Sequence, residues 1–171
     1  LSANPPPESS LLWLRAWDLS NQADGAPVRK WTDAARKSGD ASPVSDAPAP
    51  VKITDPRTGK TFVAFDGVRN ALGLPGLKVP HEFTLFIACT VEVQEEGDSA
   101  FRPLLSSTAD PFRKEGANGY GFTFTKPGME SIGVCLHSGK ELERNSLALL
   151  PTGRLELCVC RKEGSGVRLY R

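Results

Sequence analysis

The strongest constraint on the fold is a run of alternating residues, "EFTLFIACTVEV" at 82–93. Successive side chains of a β-strand point to opposite faces, so a period of two is typical of a strand and not of a helix. The run therefore predicts a long strand with one apolar face. That face holds Phe83, Leu85, Ile87, Cys89, Val91 and Val93, and the other face holds Thr84, Phe86, Ala88, Thr90 and Glu92.

Further short segments with strand-like patterns are separated by turn-forming residues. They predict an all-β fold, an antiparallel sandwich or barrel, with hardly any helix. Turns are expected around Lys126-Pro127-Gly128 and at 163–166, where the chain reads Glu-Gly-Ser-Gly. The segments are "SLLWLRAWDLS" (10–20), "TFVAFDG" (61–67), "FRPLLSST" (101–108), "GYGFTFTKPG" (119–128), "SIGVCLHSG" (131–139) and "GRLELCVCRKEGSGVRLYR" (153–171).

Charge and hydropathy exclude two classes of partner. The chain of 171 residues has 21 basic and 20 acidic residues, a net charge of +1. This balance gives no electrostatic basis for nucleic acid or an anionic membrane as the main partner. The apolar runs are only a few residues long, far short of a membrane span, so membrane insertion is not expected.

The chain divides into a linker and one domain. Residues 1–10, "LSANPPPESS", contain three consecutive prolines and predict an extended linker, with flanking domains in a larger polypeptide. Residues 11–171 form the predicted sandwich domain. Its 20–60 segment is rich in turn residues, and Trp31 is its main candidate anchor, with a short helical turn near 31–37.

Five segments in order resemble laminin-G-like members of the concanavalin A-like jelly-roll superfamily, of the type found in large secreted and surface proteins of bacteria. Each motif is loose, and the specificity lies in the order and spacing. The resemblance implies a jelly-roll sandwich and an extracellular, cell-surface or periplasmic location. The segments are "LLWLRAWDLS" (11–20), "VRKWTDAARKSGDAS" (28–42), "GKTFVAFDGVRNALGLPG" (59–76) and "EFTLFIACTVEV" (82–93), followed by "GSGVRLYR" at 164–171.

At its C-terminal end the chain differs from the family that it resembles. Relatives run on from the position of Tyr170 into further strands, one of which completes the sheet beside the first strand. The resemblance thus implies a sandwich that is C-terminally incomplete in this chain. The remaining strands lie on another segment or chain, or the sequence is a truncated piece, or this protein closes its sheet differently.

The four cysteines could bind a metal ion, form a disulfide bond or lie buried as thiols. By alternation, Cys135 and His137 share one strand face, and Cys158 and Cys160 share another with Glu156 and Lys162. If those two strands were neighbours, the three thiols and one imidazole could bind zinc. The favoured alternatives are buried thiols, Cys89 included, or a disulfide between Cys135 and Cys158 or Cys160. On the second strand, the core-like face is assigned to Leu155, Leu157 and Val159.

A sugar site on a sandwich needs aromatic faces with hydrogen-bonding groups around them. Trp31, Phe86 and Tyr120 are the candidate ligand-binding residues, although most aromatic side chains of a sandwich belong to its core. Calcium, an accessory ion that the resemblance implies, needs several oxygen ligands. Asp66 is the candidate among the loop acids, and a turn-capping role is its favoured alternative. The other loop acids are Asp24, Asp33, Asp40, Asp46 and Asp55.

The expected function is a non-catalytic carbohydrate- or protein-binding module, with a glycan or protein ligand. A structural spacer without a ligand is the first alternative. A glycoside hydrolase is the second, since relatives include such enzymes and these need two carboxylates in one cleft. The acidic groups at 92–98 and 141–143 are read as a solvated strand end and a polar connection, so no catalytic residue is assigned.

Overall fold

The computed structural model describes residues 5–44, 47–67, 69–90, 102–106, 118–124, 131–138, 142–149, 153–164 and 166–170. Between 102 and 149 it describes the backbone of the strands. The described chain is mostly strand, in small antiparallel sheets, with one 3-10 helix. This confirms the all-β class. The chain forms two compact units, Leu1–Val79 and Pro80–Arg171.

The first unit contains four short strands in two antiparallel pairs, β1 with β4 and β2 with β3. Isolated bridges add Leu14 to Asp33 and Trp31 to Ala41. The 3-10 helix Ala16–Leu19 contacts β3 and buries Leu19. The strands are β1 (Ser42–Pro43), β2 (Val51–Thr54), β3 (Thr61–Ala64) and β4 (Leu72–Gly73).

Two predictions for this unit were wrong. The 10–20 segment pairs through a single bridge at Leu14 and then turns into the 3-10 helix, where Arg15 Nε lies 2.9 Å from Asp18 Oδ2. A salt bridge between residues three apart favours a helical turn over a strand. In place of the short helical turn expected at 31–37, the chain forms a turn closed by the hydrogen bond from Arg36 N to the Asp33 carbonyl, with Arg36 in the left-handed region at φ 57°.

The long 20–60 segment also contains a strand that its sequence does not reveal. β2 reads Val-Lys-Ile-Thr, and its lysine, Lys52, is buried. The Lys52 Nζ atom lies 2.6 Å from Asp24 Oδ1, so the buried ammonium has a carboxylate partner. The hydrogen bond from Lys52 is the largest influence on Asp24 and lowers the pKa of that carboxyl. This pairing allows a lysine to occupy an interior strand position.

The second unit contains two antiparallel sheets, with strand orders β6-β7-β8-β9 and β11-β10-β5. The predicted strands and the C-terminal hairpin are confirmed. The strands are β5 (Phe83–Thr90), β6 (Arg102–Ser106), β7 (Asn118–Phe124), β8 (Ser131–Ser138), β9 (Leu142–Leu149), β10 (Leu155–Glu163) and β11 (Gly166–Tyr170).

β9 was missed, and Glu143 lies on this strand, opposite Leu136 of β8, and not in a polar connection. Its sequence, LERNSLAL, places four polar residues in succession, which hides a period of two. Pairing with a neighbouring strand can override such a weak local pattern, because strand propensity depends on context. The turn expected at 126–128 lies outside the described residues.

Candidate ligand-binding face

The sheet β11-β10-β5 has β10 at its centre, and its register fixes which side chains share a face. Cys158 lies opposite Ile87, and Cys160 lies opposite Leu85. Directly paired residues of antiparallel strands project from the same face of the sheet. The cysteines therefore lie on the apolar face that the alternation in β5 predicts.

That cysteine face is the buried one. Cys158 and Cys160 are 2% and 1% exposed, and Lys162 on the same face is also buried. The predicted sharing of one face by Cys158, Cys160, Glu156 and Lys162 is confirmed by the alternating burial of β10. The assignment of Leu155, Leu157 and Val159 to the core was wrong. Alternation alone defines two faces of β10, and only the pairing with β5 shows which of them is covered.

The opposite face of the sheet exposes large apolar side chains. Phe86 is 59% exposed, Leu157 53%, and Leu155 and Tyr170 46% each. A contiguous apolar surface of this kind on a folded domain typically marks a binding site. We call it the binding face, and it comprises Thr84, Phe86, Ala88, Leu155, Leu157, Val159, Arg161, Arg168 and Tyr170.

The binding face contains an aromatic row that crosses all three strands. Val159 pairs with Phe86 on one side and with Tyr170 on the other. Neighbouring strands lie about 4.8 Å apart, so the two aromatic residues stand about 10 Å apart across the sheet. Two exposed rings with a half-buried Val159 between them form a shallow apolar platform.

A polar row lies beside the aromatic row. Arg161 pairs with Thr84 on β5 and with Arg168 on β11. All three residues are exposed, and each lies two positions from a member of the aromatic row on its own strand. Two residues of a strand span about 7 Å, so the cationic groups and the aromatic rings are within reach of one ligand.

A depression of about 170 Å³ adjoins the polar row, at the end of the sheet near the β10–β11 turn. Glu82 Oε1 accepts a hydrogen bond from Gly164 N at 3.0 Å, which fixes the turn against the start of β5. Glu163 forms an ion pair with Arg161. The depression is lined by Glu82, Phe83, Thr84, Arg161, Lys162 and Glu163.

The cysteine face holds two buried cysteines, Cys158 and Cys160, and the half-buried Cys89. Within the described residues, Cys89, Cys158 and Cys160 form no disulfide bond. Burial, then the neighbouring Cys158 thiol, raises the pKa of Cys89 to about 12, and burial raises the pKa of Cys160 to about 11. Thiols with such high pKa values hold their protons at neutral pH and are weak nucleophiles.

The predicted convergence of Cys135 and His137 with Cys158 and Cys160 requires neighbouring strands, and this condition is not met. β8 pairs with β7 and β9, whereas β10 pairs with β5 and β11. The side chain of Cys135 lies outside the described part of the chain. Within the described ranges, no group of three or more His, Cys, Asp or Glu side chains is arranged to hold a metal ion.

Trp31 anchors its segment in the first unit. Its indole Nε1 donates a hydrogen bond to the Arg15 carbonyl at 3.0 Å, and its backbone pairs with Ala41. The ring is half-buried. The structure thus gives Trp31 a packing role that ties residues 15 and 41 together.

Beside Trp31 lies Asp33, a residue whose role the sequence did not reveal. It is 1% exposed, and its carboxylate accepts four backbone hydrogen bonds of 2.9–3.0 Å, from the N–H groups of Trp13, Ala35, Lys37 and Ser38. Burial is the largest single influence and acts to raise the pKa of Asp33, but the four donors together hold it below its ordinary value. Asp33 therefore organises the 31–40 loop and is not available as a calcium ligand.

Asp66 caps a local turn. Its Oδ1 accepts hydrogen bonds from Arg69 N at 2.8 Å and Asn70 N at 3.1 Å, and Asn70 Oδ1 accepts one from Asp66 N at 2.9 Å. These are the bonds of the turn-capping alternative. Of the other candidates, Phe86 lies on the binding face, while Tyr120 is in β7 with its side chain outside the described part.

Comparisons with protein-family models, with curated proteins and with solved structures give no significant match to this chain. The resemblance to laminin-G-like domains therefore stays a prediction. Among the described residues, no helix has the length and apolar character that a membrane crossing requires.

Proposed function

We propose that this chain is a non-catalytic carbohydrate-binding module whose ligand lies on the binding face. The observation that carries the proposal is the aromatic row, in which Phe86 and Tyr170 flank Val159 on an exposed sheet surface. Aromatic faces pack against the C–H side of sugar rings, and a shallow platform suits an extended chain better than a compact ligand.

Polar groups next to the platform supply the second requirement of sugar recognition, hydrogen bonding around the ring. Thr84 offers a hydroxyl group that can donate and accept, and Arg161 and Arg168 offer guanidinium donors. These groups lie one row away from the rings. A sugar chain that runs across the strands would contact both rows at once.

Binding is preferred over hydrolysis because the described acidic side chains beside this face already have local partners. Glu82 accepts the Gly164 N–H group, and Glu163 pairs with Arg161. A glycosidase needs one protonated and one ionised carboxyl on either side of the scissile bond. Carboxylates already engaged in local contacts serve to hold the turn.

The wider setting of the module is part of the proposal. We place it in the laminin-G-like group of jelly-roll sandwiches, as one domain of an exported bacterial protein with further domains beside it. The support is the order of sequence motifs together with the all-β class of the structure. Fold class alone does not determine function, so the proposed function rests on the side chains of the binding face.

Substitution of Phe86 by Ala tests the proposal. The probe is the oligosaccharide that gives the strongest signal on an array of polysaccharide fragments, titrated by calorimetry. We expect the variant to bind it about tenfold more weakly, since a lost ring contact is worth about 1 kcal/mol or slightly more. Phe65→Ala is the matched control, because Phe65 is a 46% exposed phenylalanine of the first unit, and its loss should leave affinity unchanged.

Three results would contradict the proposal. Equal losses in the Phe86 and Phe65 variants would mean that the binding face has no special role. The absence of binding to every fragment would favour the structural-spacer alternative. Hydrolysis of any probe would contradict the non-catalytic part of the proposal.

A further inference from the structure

We infer that the glycan bound by the binding face is acidic, with carboxylate or sulfate groups that contact the arginine pair Arg161–Arg168. This inference rests on the proposed function and adds the chemical class of the ligand. Its basis is the register of β10 and β11, which sets the two arginines directly opposite each other on the exposed face.

A pair of like charges in directly opposed strand positions costs stability. In this sheet the cost is only partly relieved, because Glu163 pairs with Arg161. Within the described ranges, no acidic side chain forms an ion pair with Arg168. The row therefore presents one uncompensated guanidinium group to solvent, beside the aromatic platform.

The position of this charge suits an acidic sugar. Arg168 and Tyr170 lie two positions apart on the same face of β11, about 7 Å along the strand. A pyranose ring stacked on Tyr170 would carry its carboxylate or sulfate group toward the guanidinium. Arginine binds such groups through two parallel hydrogen bonds, which adds directional selectivity to the charge attraction.

The same charges argue against a second copy of this chain as the occupant. The binding face of a second copy would bring the same arginine pair, and its Glu163 is already engaged by Arg161. It would bring no free carboxylate to Arg168 from the described part of the face. Charge complementarity therefore favours an anionic ligand.

The test uses the full chain and paired probes that differ in charge. Oligogalacturonate is compared with its methyl ester, and dextran sulfate oligomers are compared with unmodified dextran, so that carboxylate and sulfate are distinguished. We expect one acidic probe of these pairs to bind at least about tenfold more tightly than its neutral partner. The preference should fall as salt rises, since screening weakens exposed charge contacts.

The variant Arg168→Gln should lose most of that preference and keep the weak affinity for the neutral probe. Arg57→Gln, at an 87% exposed arginine side chain in the first unit, is the control and should behave as the unsubstituted chain. Circular dichroism of both variants should match the parent, because each replaces an exposed side chain.

Three outcomes would overturn the inference. If a neutral probe binds as tightly as its acidic partner and needs Phe86 but not Arg168, the proposed function stands and the acidic class is wrong. If no acidic or neutral probe binds and the chain sediments as a monomer, the proposed function and the acidic ligand class are both wrong. If the chain sediments as a dimer that Phe86→Ala dissociates, the binding face is an interface between copies.

Discussion

Substitution of Asp33 by Asn is expected to lower the free energy of unfolding of the first compact unit by about 3–5 kcal/mol. The buried carboxylate of Asp33 is the acceptor for four backbone N–H groups, three from its own loop and one from Trp13. An amide has one acceptor oxygen and would turn its own NH₂ group toward two of those donors. Buried donors without an acceptor cost far more than the loss of a surface contact.

Denaturant unfolding followed by tryptophan fluorescence measures this effect in the relevant unit, because Trp13, Trp17 and Trp31 are the only tryptophans of the chain. The matched control is Asp55→Asn. Asp55 also accepts a backbone N–H group, that of Arg57, but lies in an exposed turn, so its loss should change the unfolding midpoint much less. Similar losses in the two variants would contradict the structural role of Asp33.

The carboxylate of Asp33 also makes the stability of the first unit depend on pH. Because the pKa of folded Asp33 is below that of the unfolded chain, its contribution is complete above the unfolded value of about 4 and is lost as pH falls through the folded value. The stability difference between the parent and the Asn variant should therefore shrink below about pH 4. A difference that grows on acidification would mean that burial, and not the hydrogen bonds, controls this group.

Two adjacent positions of β10 are expected to respond in opposite ways to one substitution. Cys158→Asp places a carboxylate on the buried face and should cost about 3–5 kcal/mol or prevent folding of the second unit. Leu157→Asp places the same group on the binding face, where Leu157 is 53% exposed, and should change stability by only about 0.5 kcal/mol. The low strand propensity of aspartate affects both variants alike.

Thermal unfolding by circular dichroism distinguishes the two variants, and Cys158→Ala serves as a control for the loss of the thiol itself. The reverse order, with Leu157→Asp unfolded and Cys158→Asp stable, would show that the binding face is in fact covered. That result would also remove the basis of the proposed function, since the platform needs an open surface.

The sequence predicted those parts of the fold in which the pattern of a single strand is clear. β5 alternates cleanly, and its pattern placed Phe86 on the face opposite the apolar side chains, as the structure shows. β10 alternates as well, but the sequence LELCVC is apolar on both faces. Which face is covered depends on a partner strand distant in sequence, and no local rule supplies that information.

The residues of the candidate site could also be predicted only in part from the sequence. Phe86 was identified as a ligand-binding candidate, but Tyr170 was not, because its position opposite Val159 is a consequence of register. The pairing of Arg161 with Arg168 likewise appears only once β10 and β11 are aligned. Asp33 was noted as one of several loop acids, and the sequence gives no sign that four N–H groups converge on it. Such convergence depends on the path of the loop in three dimensions.

The position of the bound ligand on the protein can be mapped directly by NMR. Amide chemical shifts are recorded while the oligosaccharide that binds best is titrated into the full chain. If the ligand lies on the binding face, the largest changes are expected at Phe86, Val159, Arg168 and Tyr170 and their strand neighbours. Changes concentrated around Trp31 or Asp66 instead, with the β5, β10 and β11 amides unmoved, would contradict a ligand site on the binding face.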